Sequence, residues 1–145
     1  MYYGTVASKN DGGHAVTWIG TVDPKDLHPD AQTGCQTLLE ITGSDYLDIL
    51  FRSAWNSLQT LALEPKIIGG RIGMLAMLHT WSQVLRFHPH LHCLIPAGGL
   101  TYFHDRWVPS HPKFLVPVKA LSMLFRQSYQ TRMKQTDLYD RIPSE

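Results

Sequence analysis

Apolar residues recur every three or four positions in two stretches of the chain, the spacing that places side chains on one face of a helix. The first stretch begins after Asp45, a suitable N-cap residue, and ends before Pro65. Its apolar positions are Leu47, Leu50, Phe51, Ala54, Leu58 and Leu61. The second stretch begins at Pro117, a residue favoured at the first position of a helix. The residues expected on one side of this helix are Val118, Leu121, Leu124, Phe125, Ser128 and Arg132. The pattern predicts two amphipathic helices.

The segment between these helices has apolar runs of strand length that end at turn residues. We expect strands at 72–81 and 90–95, the second antiparallel to the first. A further hairpin is predicted from 100–103 and 106–108, joined by a short polar turn. With the two helices, these strands predict an α+β fold in which helices pack on an antiparallel sheet of at least four strands.

The length of 145 residues is enough for one domain with its own core. We expect 44–136 to form this domain, 1–43 to be irregular or poorly ordered, and 137–145 to be a tail. Within the first segment, the short apolar run at 14–19 is a candidate strand. No apolar run approaches the roughly 20 residues of a membrane span, and the start lacks the pattern of a signal peptide. We therefore expect a cytoplasmic protein without a membrane partner.

Four of the eight histidines lie within fourteen positions, at His79, His88, His90 and His92. Side chains two apart on a strand point to the same face, so His90 and His92 project together while Leu91 points the other way. Imidazole is a good ligand for divalent metals, and a pair on a rigid strand leaves positions open for a phosphate oxygen. The pattern predicts a metal site that contains both side chains.

A third protein ligand would come from the neighbouring strand. His79 is the first choice, because a simple hairpin brings it opposite 90–92. Gln83 and His88 are the alternatives, since both lie nearer the connection. A lone histidine is more often a structural hydrogen-bonding residue, and that interpretation stays open for His79 and His88 taken singly. The metal can be Mg, Mn or Zn, and the pattern does not distinguish them.

Charge is unevenly distributed, although the net charge is only +1. From position 106 to 134 there are six basic residues and no acidic one. They are Arg106, Lys113, Lys119, Arg126, Arg132 and Lys134. A basic segment of this kind can follow a phosphate backbone through counterion release, so these six are candidate nucleic-acid contacts. A solvated helix face is the alternative interpretation of the same pattern.

Several separated motifs between about 45 and 133 resemble the rolling-circle, two-tyrosine transposases of the insertion-sequence ninety-one group, whose catalytic domain belongs to the HUH endonuclease superfamily. The longest is FHPHLHCLIPAGGL at 87–100. The others, in the same order as in that family, lie at 48–54, 68–73, 78–81, 106–109, 114–118 and 121–126. The resemblance implies an HUH-like fold in which His90 and His92 are the metal ligands and Leu91 is the packing residue between them.

The resemblance also implies a DNA strand-transfer enzyme that acts on single-stranded transposon ends. In such enzymes a metal polarises the scissile phosphate while a tyrosine attacks it and becomes linked to the DNA. The paired nucleophilic tyrosines of the family lie on a helix beyond the matching motifs. Only Tyr129 and Tyr139 follow the last strand here, and their spacing differs, so Tyr129 is a weak candidate nucleophile. We expect a truncated copy with an incomplete HUH domain and no nucleophile of its own.

These observations leave three hypotheses for the function. The first is a transposase fragment that keeps metal and DNA contacts and that can act beside a full-length transposase. The second is a non-catalytic DNA-binding remnant that competes for transposon ends. The third, a small metal hydrolase that uses His79, His90 and His92, is disfavoured because 65–104 contains no Asp or Glu to act as a general base.

Overall fold

The computed structural model describes residues 8–10, 14–19, 44–81, 87–103 and 105–136. Along the chain the elements are β1 (Ser8–Asn10), β2 (His14–Ile19), α1 (Ser44–Leu63), β3 (Leu75–Trp81), β4 (Phe87–Pro96), β5 (Gly98–Leu100), β6 (Trp107–Pro109) and α2 (Val118–Lys134). This is the α+β arrangement that the sequence predicts. None of the helices in these ranges is long and apolar enough to cross a membrane.

The main sheet has four antiparallel strands in the order β1-β2-β4-β3. Two of its strands come from the N-terminal segment that we expected to be irregular, and β2 lies where the apolar run predicts a strand. The rest of 1–43 and the predicted tail at 137–145 lie outside the described residues. The domain boundaries themselves stay predictions.

The hairpin that follows β4 does not extend this sheet. β5 and β6 pair with each other in a separate two-stranded sheet, so the prediction that they complete the main sheet is wrong. The reason is a different partner for β5. Arg71 and Leu100 exchange two backbone hydrogen bonds of 2.7 and 2.8 Å, and this bridge holds the hairpin against the segment before β3. That segment is consequently not part of β3, which begins at Leu75 and not at 72.

The helices pack on one face of the main sheet. The buried core joins α1, β4 and α2, and it includes Leu50, Ala54, Leu58, Leu91, Cys93, Ile95, Leu121, Phe125, Tyr129 and Met133. On α2 the buried positions are spaced four apart, from Leu121 to Met133. The predicted stripe of α2 was therefore partly wrong, since Val118 is exposed and Tyr129 is buried. The helical layer leaves the opposite face of β3 and β4 uncovered by either helix.

Candidate metal centre

The alternation of side chains along β4 separates its two faces. Leu91, Cys93 and Ile95 are fully buried in the core, whereas His90 and His92 are half-buried on the other face. Burial raises the pKa of the Cys93 thiol to about 12, so this side chain behaves as an apolar residue of the core. The predicted division between an apolar back and a histidine-bearing front is present in the structure.

The strand β3 supplies the third histidine. In the antiparallel register His79 lies directly opposite His90, and Met77 lies opposite His92. Residues that face each other across two strands have Cβ atoms about 4.5–5.5 Å apart. This pairing brings His79 to the same face as the two histidines of β4, as the hairpin prediction requires.

The three imidazoles form a tight cluster, called here the histidine triad (His79, His90 and His92). The Nε2 atoms of His90 and His92 are 3.0 Å apart. The ring centroid of His79 lies 4.0 Å from that of His92 and 5.4 Å from that of His90. One nitrogen from each ring can be chosen so that all three lie within 4.8 Å of one another. The triad is close enough to hold a metal ion.

The donor set fits a divalent ion. Two imidazole nitrogens bound to one ion at about 2.0–2.1 Å lie roughly 3 Å apart, which is the separation found between His90 and His92. Burial lowers the pKa of His92, and the neighbouring His79 and His90 lower it further. The neutral form, which is the form that binds metal, is therefore favoured at His92. No acidic residue lies between 65 and 104, so the segment that carries the three histidines supplies no carboxylate ligand of its own.

Gln83, the side chain of His88 and Tyr139 lie outside the part of the chain that the structure describes. Tyr129 is buried in the core, in edge contact with Tyr46 at 6.3 Å between ring centroids. Because the core lies behind β4, Tyr129 is on the opposite side of the sheet from the triad.

The six basic residues lie in two parts of the fold. Arg106 directly precedes β6 and Lys113 is in the following loop, both exposed, while the other four are on α2. Lys119 and Lys134 are exposed, whereas Arg126 and Arg132 are partly buried. Since α2 packs on the core face of the sheet, its basic side chains and the triad belong to different sides of the molecule.

The α+β fold and the clustered histidines are consistent with the HUH endonuclease class. Comparison with known proteins gives a family match for part of the chain. Residues 73–141 match the family described as "Putative transposase", a range that contains the triad and α2. The resemblance predicted from the sequence motifs is thus confirmed over this part of the chain.

Two curated relatives agree with this assignment. A "Putative transposase y4qJ" of Sinorhizobium fredii is 41% identical over 87 residues, which cover 60% of this chain and 22% of that protein. The "Transposase for insertion sequence element IS801" of Pseudomonas savastanoi pv. phaseolicola is 44% identical over 54 residues, covering 37% of this chain and 12% of that protein. The chain thus spans about a fifth or less of these relatives. No solved structure matches it.

Proposed function

We propose that this chain binds a divalent metal ion at His79, His90 and His92 and presents the ion to single-stranded DNA, as part of a transposase that cleaves and transfers transposon ends. The observation that carries the proposal is the separation of 3.0 Å between the Nε2 atoms of His90 and His92, with His79 against them. A bound divalent ion supplies Lewis-acid polarisation of a phosphate and neutralises the charge that develops during its cleavage.

The protein's part in this chemistry is to fix the imidazoles. His90 and His92 are attached to a strand whose alternate residues, Leu91 and Cys93, are locked in the core. His79 is held opposite His90 by the register of β3 and β4. A site on paired strands loses little conformational freedom when it binds a ligand, because its backbone is already ordered.

We do not assign the role of nucleophile to either of the two tyrosines in the core, Tyr46 and Tyr129. Tyr46 and Tyr129 are buried and contact each other behind the sheet. A nucleophile must reach the phosphate that the metal contacts, and both of these hydroxyl groups belong to the wrong face. We infer that the chain binds and orients DNA, and that the attacking tyrosine comes from elsewhere, for example from a full-length transposase.

Calorimetric titration with Mn²⁺ and with Zn²⁺ tests the metal site. We expect the wild-type chain to bind one ion, and the double variant His90→Ala/His92→Ala to lose that binding. The matched control is Met77→Ala/Leu94→Ala, which truncates two exposed side chains on the same strands and the same face. Retention of binding by the histidine variant, or no binding by the wild type, would show that the triad is not a metal site.

A second function, a non-catalytic module that occupies transposon ends, is favoured by the position of α2. Its basic residues lie on the other side of the sheet from the triad, so DNA could be bound there without a metal. This alternative predicts DNA binding that weakens steeply with salt and persists in a chelator. The first proposal instead predicts that part of the affinity for single-stranded DNA is lost when the metal is removed.

A denaturing gel tests the inference about the nucleophile. The chain is incubated with labelled single-stranded DNA and Mn²⁺ and then denatured with detergent. We expect no labelled protein band. A covalent adduct would show that this chain carries its own nucleophile, and its persistence in Tyr129→Phe would exclude Tyr129 as the source.

A further inference from the structure

Two aromatic side chains stand in solvent at the turn between β5 and β6. Tyr102 is 71% exposed and Phe103 is 81% exposed, although most aromatic side chains of this size are covered by a core or a partner. Their rings contact each other edge to face, with centroids 5.4 Å apart. We call this pair the hairpin tip (Tyr102 and Phe103). It is not part of the histidine triad or of α2.

The base of the hairpin is firmly held. Besides the two backbone bonds between Arg71 and Leu100, the Thr101 amide donates to the Arg106 carbonyl at 3.0 Å. The Thr101 hydroxyl donates to the carboxylate of Asp105, which closes the turn. The backbones of Gly99 and Arg71 approach so closely that a Cβ at Gly99 would lie 2.7 Å from the Arg71 carbonyl oxygen. The tip is therefore exposed on a rigid support, and not because the turn is loosely attached.

One arginine contacts the tip and a second follows it in the same turn. The Arg71 guanidinium lies over the Tyr102 ring, 5.6 Å from its centroid, and Arg106 is exposed at the far end of the turn. The one carboxylate of the turn, Asp105, already accepts the Thr101 hydroxyl. Flat aromatic rings beside arginines suit a ligand that alternates planar bases with phosphates. A purely apolar protein partner would leave both guanidinium groups without a counter-charge.

We propose that the hairpin tip is a stacking platform for unpaired bases of single-stranded DNA, with Arg71 and Arg106 contacting the adjacent phosphates. The inference deepens the proposed DNA-binding function by assigning a second contact point, and it requires no metal. Stacking on Tyr102 and Phe103 is insensitive to base identity, since every base has a π face. The platform would hold a single strand without reading its sequence.

The test separates stacking from backbone contact. Fluorescence anisotropy measures the binding of oligo-dT and of an abasic oligonucleotide of equal length, both in chelator. For oligo-dT we expect Tyr102→Ala/Phe103→Ala to bind about ten- to a hundredfold more weakly than the wild type. For the abasic strand, which keeps the phosphates but has no bases to stack, the two proteins should bind equally. The control Met123→Ala removes a side chain that is 69% exposed on α2, and it should leave both affinities unchanged.

A second variant guards against a folding artefact. Tyr102→Trp/Phe103→Trp keeps two stacking rings, so it should restore the affinity for oligo-dT. Equal binding of oligo-dT by wild type and alanine variant, or an equal loss for both oligonucleotides, would overturn the platform. A concentration-dependent dimer of the wild type that the alanine variant abolishes, with unchanged DNA binding, would also overturn it and assign the tip to a contact between copies. Chelator is present in all of these measurements, so they do not depend on a bound metal. A negative result would overturn the stacking platform alone, and the calorimetric titration would still test the metal site.

Discussion

His79 of β3 lies directly opposite His90 of β4, and this cross-strand pair adds a third imidazole to the two that share a face of β4. The register of β3 and β4 therefore decides whether His79 can join the other two histidines. A shift of one residue would turn its side chain toward the helices. We predict that His79→Gln weakens Mn²⁺ or Zn²⁺ binding at least tenfold, or about 1.4 kcal/mol. Calorimetry measures the change, and unfolding in urea should show little loss of stability because His79 is exposed.

The control for this variant is Met77→Gln, two residues earlier on the same face of β3, which should bind metal like the wild type. Unchanged affinity in His79→Gln would transfer the third-ligand role to Gln83 or His88, the alternatives that the sequence left open.

Leu91 and Leu94 of β4 test the sidedness of the sheet. Leu91 is fully buried beneath the helices, whereas Leu94 is 40% exposed on the face of the triad. We predict that Leu91→Ala lowers the free energy of unfolding by about 2–5 kcal/mol, since it leaves a cavity in a packed core. Leu94→Ala should change it by only about 0.5 kcal/mol. Urea titration measures both, and equal effects would contradict helices packed on one face alone.

Local periodicity predicted much of this architecture. The three- and four-residue spacing located both helices, and the two-residue alternation at His90 and His92 placed both rings on one side. The role of α2's core residues was harder to predict, because Ser128 and Tyr129 are adjacent and the spacing admits either as the inward position. Packing against Tyr46 decides between them in favour of Tyr129.

Long-range pairing could not be read from the sequence. β2 pairs with β4, and in this pairing Thr17 lies opposite Cys93 although the two residues are far apart in the chain. The pairing of Arg71 with Leu100 likewise depends on close backbone approach at Gly70 and Gly99. The apolar pattern of a strand specifies which of its faces is buried. It does not specify which other strand pairs with it on either side.

Gly99 provides a test of that close approach. A Cβ at this position would meet backbone atoms of Arg71 and Gly70 at 2.7–3.0 Å, and backbone cannot move aside as a flexible side chain can. We predict that Gly99→Ala destabilises the protein by about 1–3 kcal/mol. Gly73→Ala is the matched control, because nothing lies within 4 Å of its Cβ position, and its effect should stay within about 1 kcal/mol. Thermal and urea unfolding compare the two, and a neutral Gly99→Ala would refute the contact between the hairpin and Arg71.

The pKa of Asp105 is a probe of the turn that carries the hairpin tip. The Thr101 hydroxyl lowers the pKa of this carboxyl, and a hydrogen bond from the backbone amide of Asp105 lowers it further. A folded-state pKa below the unfolded value means that the turn gains stability above the unfolded pKa of about 3.9 and loses it as the pH falls through the folded pKa. We predict that Thr101→Val raises the pKa of Asp105 toward its ordinary value, whereas Thr101→Ser keeps the hydroxyl and leaves the pKa low. Titration of the carboxyl carbon by NMR measures both variants.

An unchanged pKa of Asp105 in Thr101→Val would show that the threonine hydroxyl does not close the turn. The rigid support proposed for Tyr102 and Phe103 would then lose one of its hydrogen bonds.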